Sequence, residues 1–199
     1  MNKLSLVYQK KKAFSKFYCD EVIRYFELSP NKTSGDSAED GRIGVNRSVK
    51  NSLDVSFSLH TPFNPLWVTM AKVLDKSLME MCGIYSGLGP DYGVGWFADD
   101  MSNIQKYYPT QGYTMEHCEH CPKYPYNMRI LAWMIYLNDV TDKGGTHFSN
   151  QGITLKARTG DLYIWPAYYT HMHYGIPSPT QIKYIATGWC SFNIVKSNV

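Results

Sequence analysis

The residues of this sequence that could do chemistry are metal-ligating side chains followed by a cation. His117 and Glu119 are two positions apart, two histidines follow some fifty residues later at His171 and His173, and Lys183 comes ten residues after His173. Two imidazoles and one carboxylate bound to iron leave other coordination positions open, which a 2-oxo acid and dioxygen can occupy. This order predicts a mononuclear iron site with a cation beside it.

The first two candidate ligands are spaced so that both can reach one ion. On a β-strand, residues two apart point to the same face, and a flexible loop could also bring them together. An isolated His-x-Glu pair is a weak signal, and it gains weight only from the segments later in the chain. His120 is the nearest competing ligand.

Four later segments strengthen the prediction because they occur in the order of one known family. They are Met134–Asp139, Gly144–Phe148, Thr159–Pro166 and Lys183–Trp189. The series resembles the Fe(II)/2-oxoglutarate-dependent dioxygenases, specifically the prolyl 4-hydroxylase-like branch. The pattern of that branch is His-x-Asp, a YLND…GGxTxF strand and turn, GdlllFP, and then a histidine and a basic residue. The match covers roughly residues 103–192.

The resemblance implies the iron ligands. His117 is the first ligand, and Glu119 takes the place usually held by aspartate, with a side chain one methylene longer. For the second imidazole we favour His173, because it lies ten residues before Lys183 and is followed by proline four residues later. His171 remains the alternative, since it lies at the usual distance after the GdlllFP-like segment.

The resemblance also implies how the cosubstrate is bound. Lys183 matches the residue that binds the distal carboxylate of 2-oxoglutarate, and a buried anion does need a fixed cation. Tyr108 matches a family tyrosine whose hydroxyl binds the same carboxylate. Trp189 is expected in the pocket wall.

The implied reaction is a hydroxylation by dioxygen that converts 2-oxoglutarate to succinate and carbon dioxide. The implied cofactors are Fe(II) and 2-oxoglutarate, with ascorbate as an optional accessory. A peptidyl residue, with proline first among candidates, is the favoured substrate. The same chemistry on a nucleic acid base or small metabolite, and a non-catalytic binding module on the same scaffold, are the alternatives.

A structural zinc site is a competing interpretation of the segment around the first ligand. Cys118 and Cys121 form a Cys-x-x-Cys pair beside two histidines. Such sites generally need a second ligand pair at compatible spacing, and the remaining cysteines are isolated.

The elements that position these residues can be predicted from periodicity. Apolar residues at near-helical spacing after Ser15 predict a helix over residues 16–28, and a second helix is predicted from Pro65 through Met81. Residues 30–44 are rich in Ser, Gly, Asp and Lys and predict an exposed loop. We therefore expect a helical N-terminal part over about residues 1–92.

From about residue 93 the pattern changes to short β-prone runs bounded by Gly, Pro or Asp. These predicted strands are Asn103–Tyr108, Ile130–Leu137, Ile153–Ala157, Asp161–Trp165 and Lys183–Phe192. No helical segment separates them, so they should pair mainly antiparallel. The prediction is a mainly β fold with N-terminal helices, whose β core over about residues 93–192 is a double-stranded β-helix of the jelly-roll or cupin-like kind.

Length and charge limit the function classes. The 199 residues suffice for a single domain over the whole chain, and 20 basic against 17 acidic residues give a net charge of +3. This balance favours neither a nucleic-acid nor a membrane partner. We find no apolar leader or membrane-length run, and five widely spaced cysteines fit a reducing compartment, so we expect a cytoplasmic protein.

Overall fold

The two helices begin where the sequence signals them. In a computed structural model, which describes residues 5–39, 42–85 and 87–193, helix α1 spans Lys16–Leu28. Its N-cap is the predicted Ser15, whose hydroxyl accepts a hydrogen bond from the Tyr18 amide at 3.2 Å. Helix α2 spans Pro65–Ile84 and so ends beyond the predicted Met81. Neither is long and apolar enough to cross a membrane, nor is any other helix in this part of the chain.

Most of the remaining described residues that are regular form short β-strands. In chain order these are β1 Tyr8–Lys10, β2 Thr33–Ser34, β3 Ser37–Glu39, β4 Arg42–Gly44, β5 Leu53–Ser58, β6 Trp96–Ala98, β7 Met101–Tyr107, β8 Arg129–Tyr136, β9 Thr146–Phe148, β10 Ile153–Leu155, β11 Leu162–Pro166, β12 His173–Gly175 and β13 Lys183–Phe192.

The strands build a jelly-roll core. The larger sheet has the order β1-β11-β8-β13-β7-β5-β2, with β6 also beside β13, and the smaller sheet has the order β10-β9-β12. Strands β3 and β4 form a separate hairpin. The named strand pairs are antiparallel, which confirms the predicted pairing mode and the mainly β fold.

The N-terminal part contributes more to the sheet than the sequence predicted. Strand β1 pairs with β11, and β5 lies between β7 and β2 in the larger sheet. The part predicted as helical over residues 1–92 therefore also contains strands, and β2, β3 and β4 form within the predicted loop over residues 30–44. These strands are short and alternate polar with apolar residues over few positions, so their periodicity is weak.

Strand β8 explains why the core has two layers. Leu131, Trp133 and Ile135 belong to the cluster that includes the buried faces of both helices. Ala132 and Tyr136 belong to a second cluster, which also contains residues of the smaller sheet. Since successive side chains alternate across a strand, β8 is buried on both faces and separates the two clusters.

Glycine is needed at each of the two positions before β9 for a different reason. Gly144 has φ of +73°, a conformation that L-residues rarely adopt. Gly145 lies so close to the next strand that a Cβ atom would be 2.3 Å from the carbonyl oxygen of Leu155. Both glycines are needed for the path of the backbone.

Candidate metal and anion site

A cavity of about 420 Å³ is lined by residues of both sheets. Strand β13 supplies alternate side chains to its wall, and the smaller sheet supplies residues of β9 and β12. The β13 residues in the wall are Lys183, Ile185, Thr187 and Trp189. The residues between them face the helices, so the two-residue period of β13 sets which side chains reach the cavity.

His117 and His173 meet through the backbone. His117 lies in the long connection between β7 and β8, and His173 is the first residue of β12. The amide of each donates to the carbonyl of the other, at 3.0 Å from His117 to His173 and 2.9 Å in return. This isolated bridge places the two imidazole rings 4.4 Å apart, centroid to centroid.

Glu119 completes a cluster with these imidazoles. Its amide donates to the carbonyl of Ala167, and its Oε1 lies 3.5 Å from Nε2 of His173 and 3.7 Å from Nε2 of His117. The candidate ligand atoms of the three residues lie within 4.8 Å of one another, and no other group of three such residues in the described ranges does so. The structure therefore brings the favoured set together.

The ring orientation fits a metal. Nδ1 of His117 lies 2.8 Å from the carbonyl oxygen of Met115, and Nδ1 of His173 lies 2.8 Å from that of His171. A carbonyl can only accept, so each Nδ1 carries a proton, and in the neutral ring Nε2 then keeps its lone pair. Both lone pairs are thus available on the side of the rings where Oε1 of Glu119 lies.

The charge states are also those of ligands. Burial, together with the nearby His173, lowers the pKa of His117 to about 4, so this imidazole is neutral at pH 7. Burial by itself raises the pKa of Glu119. The lowering effect of His173, His117 and Arg129 is larger, so the net pKa lies below its usual value. The carboxylate is therefore ionised.

The second carboxylate oxygen of Glu119 has partners that sequence reasoning missed. The indole N–H of Trp189 donates to Oε2 at 2.7 Å, and Nη1 of Arg129 lies 3.8 Å from the same atom. Trp189 was predicted only as pocket wall, and Arg129 was not predicted at all. No sequence motif marks Arg129, because its role depends on the fold bringing β8 beside the Glu119 segment.

The alternative ligands lie outside the cluster. His171 is buried, with Nε2 at 3.0 Å from the carbonyl oxygen of Ser5 and Nδ1 at 2.9 Å from the Thr170 hydroxyl. Nδ1 of His120 faces the Arg129 carbonyl at 3.4 Å, and its ring packs on Tyr168. Cys118 and Cys121 line the cavity, but within the described residues they belong to no group of three ligands. The geometry gives the zinc interpretation no support.

Lys183 lies in the same cavity and is only 4% exposed. Its Nζ lies 4.8 Å from the ring centroid of Tyr107, which is its register partner on β7. Among the described residues no carboxylate lies within ion-pair distance of it. Burial lowers the pKa of Lys183 from 10.5 to about 8, so the amine is still mostly protonated at pH 7. A buried cation without an anion is costly, so Lys183 is a candidate to bind an anionic ligand.

Tyr108, the predicted cosubstrate tyrosine, lies outside the cavity. Tyr108 is 41% exposed, does not line the cavity, and packs against Nζ of Lys106. Tyr107 lines the cavity instead. A shift of one residue turns a strand side chain to the opposite face, and the sequence resemblance was not exact enough to decide between adjacent tyrosines. Burial raises the pKa of Tyr107, so its hydroxyl remains a donor.

The same cavity contains a second buried lysine that the sequence did not mark. Nζ of Lys50 lies 2.7 Å from Oδ2 of Asp54, and the Ser52 hydroxyl donates to Oδ1 at 2.7 Å. Gln105 contacts the same carboxylate and accepts a hydrogen bond from Tyr107 at 2.7 Å. Within this network the charge of Lys50 is paired with that of Asp54.

Solved structures with a similar fold are prolyl hydroxylases. A prolyl 4-hydroxylase of Pseudomonas putida aligns with a TM-score of 0.69 at 13% identity, covering 94% of this chain and 92% of that chain. The viral collagen prolyl hydroxylase of Paramecium Bursaria Chlorella virus-1, as a 2OG complex, gives 0.65 at 16% identity, covering 93% and 95%.

A third similar structure is the prolyl hydroxylase of Trichoplax adhaerens, in complex with a hypoxia inducible factor oxygen degradation domain peptide fragment. It gives a TM-score of 0.67 at 14% identity and covers 94% of this chain and 84% of that chain. No protein-family model and no curated protein matches the sequence. The chain therefore has the fold of the prolyl 4-hydroxylases, which confirms the fold that the sequence resemblance implied.

Proposed function

We propose that the protein is an Fe(II)- and 2-oxoglutarate-dependent dioxygenase that hydroxylates a peptidyl residue, with proline first among the candidates. One observation carries the proposal. A cluster of two imidazoles and a carboxylate shares its cavity with a buried lysine that has no carboxylate partner among the described residues. Metal ligands alone would fit many proteins, but the added cation provides for a dicarboxylate.

Each side chain has a defined part in binding. His117 and His173 would hold Fe(II) through Nε2, and Glu119 through Oε1, because these atoms face one another. Lys183 would bind the distal carboxylate of 2-oxoglutarate. The Tyr107 hydroxyl would be a further donor to it after turning from Gln105, to which it donates at 2.7 Å in this structure. When bound, iron and 2-oxoglutarate supply the redox chemistry, in which decarboxylation to succinate accompanies oxygen insertion into a C–H bond.

The protein contributes the orientation of the ligands. His173 is stacked on Phe148 and meets Trp165 edge-on, so aromatic rings limit the movement of this imidazole. Tyr113 stacks on His117 with centroids 3.7 Å apart. This aromatic packing holds the imidazoles in the orientation that faces Glu119.

An anaerobic titration with Fe(II) and 2-oxoglutarate tests the proposal. We expect a visible metal-to-ligand charge-transfer band, which His117→Ala and His173→Ala should each abolish. His171→Ala serves as the matched control, because this buried histidine faces away from the cluster and should leave the band in place. If the unaltered protein gives no band, the binding-module alternative is favoured. If His171→Ala is folded but gives no charge-transfer band, the ligand assignment is wrong.

The peptidyl substrate is supported by the fold, since one similar structure holds a peptide. Iron-loaded protein should be incubated with proline-rich peptides, nucleotides and free amino acids, each supplied with 2-oxoglutarate. We expect a mass gain of one oxygen atom in a peptide, coupled to succinate release. Oxygen gain in a nucleotide or a free amino acid instead would keep the chemistry and replace the substrate class.

A further inference from the structure

We propose that Trp189 and Arg129 are positioning residues for Glu119, and that they are what allows a glutamate to serve where the resembled family pattern has aspartate. The inference rests on the proposed function, because it concerns the metal-facing carboxylate of that site. It goes further by giving two residues outside the ligand set a role in metal binding.

The two oxygens of the Glu119 carboxylate have different surroundings. Oε1 faces the Nε2 atoms of His173 and His117 at 3.5 and 3.7 Å. Oε2 accepts the indole N–H of Trp189 at 2.7 Å and lies 3.8 Å from Nη1 of Arg129. An oxygen already engaged by an N–H donor and a cation is a poorer metal ligand. The arrangement therefore favours coordination through Oε1 alone, which leaves more positions open on the metal.

The guanidinium of Arg129 is itself held in place. Its central carbon lies 3.6 Å from the ring centroid of Trp189 and 4.6 Å from that of Tyr126. The side chain of Arg129 is only 13% exposed, as expected for a planar cation that packs on aromatic rings. Trp189 thus orients Arg129 with its ring face and Glu119 with its ring N–H.

The contacts of Trp189 and Arg129 with Oε2 depend on the length of the glutamate side chain. Glutamate has one more rotatable bond than aspartate, and fixing that bond costs conformational entropy. The contacts to Oε2 offset this cost and fix the direction of Oε1. Aspartate at position 119 is one methylene shorter, so its carboxylate could not face the imidazoles and reach Trp189 at the same time. Glu119→Asp should therefore weaken metal binding, although it restores the residue that the family pattern prefers.

A double-mutant cycle with Co(II) as the probe tests the inference. Co(II) affinity is measured by titration, and the visible Co(II) bands report the coordination geometry. We expect Trp189→Phe to weaken Co(II) binding by about 10- to 100-fold, the range typical of residues that orient metal ligands. In the Glu119→Asp background the same change should cost less than about threefold, because aspartate no longer reaches the indole. Equal effects in both backgrounds, or no effect of Trp189→Phe, would overturn the inference.

The controls separate positioning from folding. Trp96→Phe also removes a buried indole, which donates to the Leu88 carbonyl outside the cavity, and it should leave Co(II) affinity and bands unchanged. Arg129→Lys keeps the charge and should retain more affinity than Arg129→Met. Thermal unfolding without metal identifies variants that merely destabilise the fold.

Failure of this inference is distinguishable from failure of the proposed function. If the unaltered protein does not bind Co(II), or binds it equally well after His117→Ala, both fall. If it binds through the histidines and Trp189→Phe changes nothing, the positioning role alone is wrong.

Discussion

Lys50 and Lys183 are both buried in the wall of one cavity, with 5% and 4% exposure, yet their surroundings differ. Nζ of Lys50 is 2.7 Å from the Asp54 carboxylate, which also accepts a hydrogen bond from the Ser52 hydroxyl. Lys183 has the ring of Tyr107 but no carboxylate within ion-pair distance among the described residues.

The difference shows how the surroundings of a residue, rather than its type, indicate a ligand site. A buried ammonium is costly unless an anion compensates for it. The charge of Lys50 is compensated by Asp54 within the chain, so Lys50 needs no anionic ligand. Lys183 has no such anion among the described residues, which supports a role in binding the carboxylate of a cosubstrate.

Removing Lys50 should have the largest effect on stability. Lys50→Met leaves the Asp54 carboxylate buried without its cation, and we expect the free energy of unfolding to fall by about 3–5 kcal/mol. Replacing both partners, as Lys50→Met with Asp54→Leu, should recover most of that loss. Urea unfolding measures both values. If Lys50→Met does not change the free energy of unfolding, the interaction between Lys50 and Asp54 does not stabilise the protein.

Removing Lys183 should have the opposite effect and increase the free energy of unfolding. Its pKa falls from 10.5 when unfolded to about 8 when folded, a difference that corresponds to about 3 kcal/mol. Below pH 8 both states are protonated and the folded state carries the full penalty. Between pH 8 and 10.5 the unfolded state binds the extra proton, so stability rises with pH.

Lys183→Met lacks this term and should therefore be more stable than the unaltered protein at pH 7, by up to about 3 kcal/mol. The advantage should disappear as the pH approaches 10.5. Unfolding measured over pH 7–10.5 checks this, and the comparison between the two proteins cancels other titrating groups. An advantage that does not change with pH would contradict it.

The same variant should lose cosubstrate affinity. We expect Lys183→Met to weaken 2-oxoglutarate binding by about 10- to 100-fold, since hydrogen bonds to charged groups contribute about 1.5–3 kcal/mol. Co(II) affinity without 2-oxoglutarate should not change, because Lys183 is not in the ligand cluster. Equal loss of both affinities would indicate a general disturbance of the cavity.

The adjacent tyrosines should give the smallest and most local effect. Tyr107→Phe should weaken 2-oxoglutarate binding by about three- to tenfold, through the loss of one hydroxyl donor. Tyr108→Phe should have no effect, because Tyr108 lies outside the cavity. Binding titrations of the two variants side by side decide which tyrosine acts, and the reverse result would restore the original sequence prediction.

Local patterns in the sequence predicted the regular elements well. The cap at Ser15, the first residue of α2 and the bounds of β13 lie where periodicity and punctuation indicated. Among the strands missed are β1, β2 and β5, which join the larger sheet. They are short, and their place in the larger sheet comes from pairing with strands far along the chain, which no local window contains.

By itself the sequence determined the types and order of the candidate ligands, because a metal cluster with a following cation requires particular side chains at particular intervals. Only the tertiary structure shows how the surroundings of His171 and His173 differ, and likewise those of Tyr107 and Tyr108 and those of Lys50 and Lys183. Each of these differences depends on the direction of a side chain or on a distant partner. Such features arise from strand register and long-range packing, as with Arg129 and Trp189 beside Glu119.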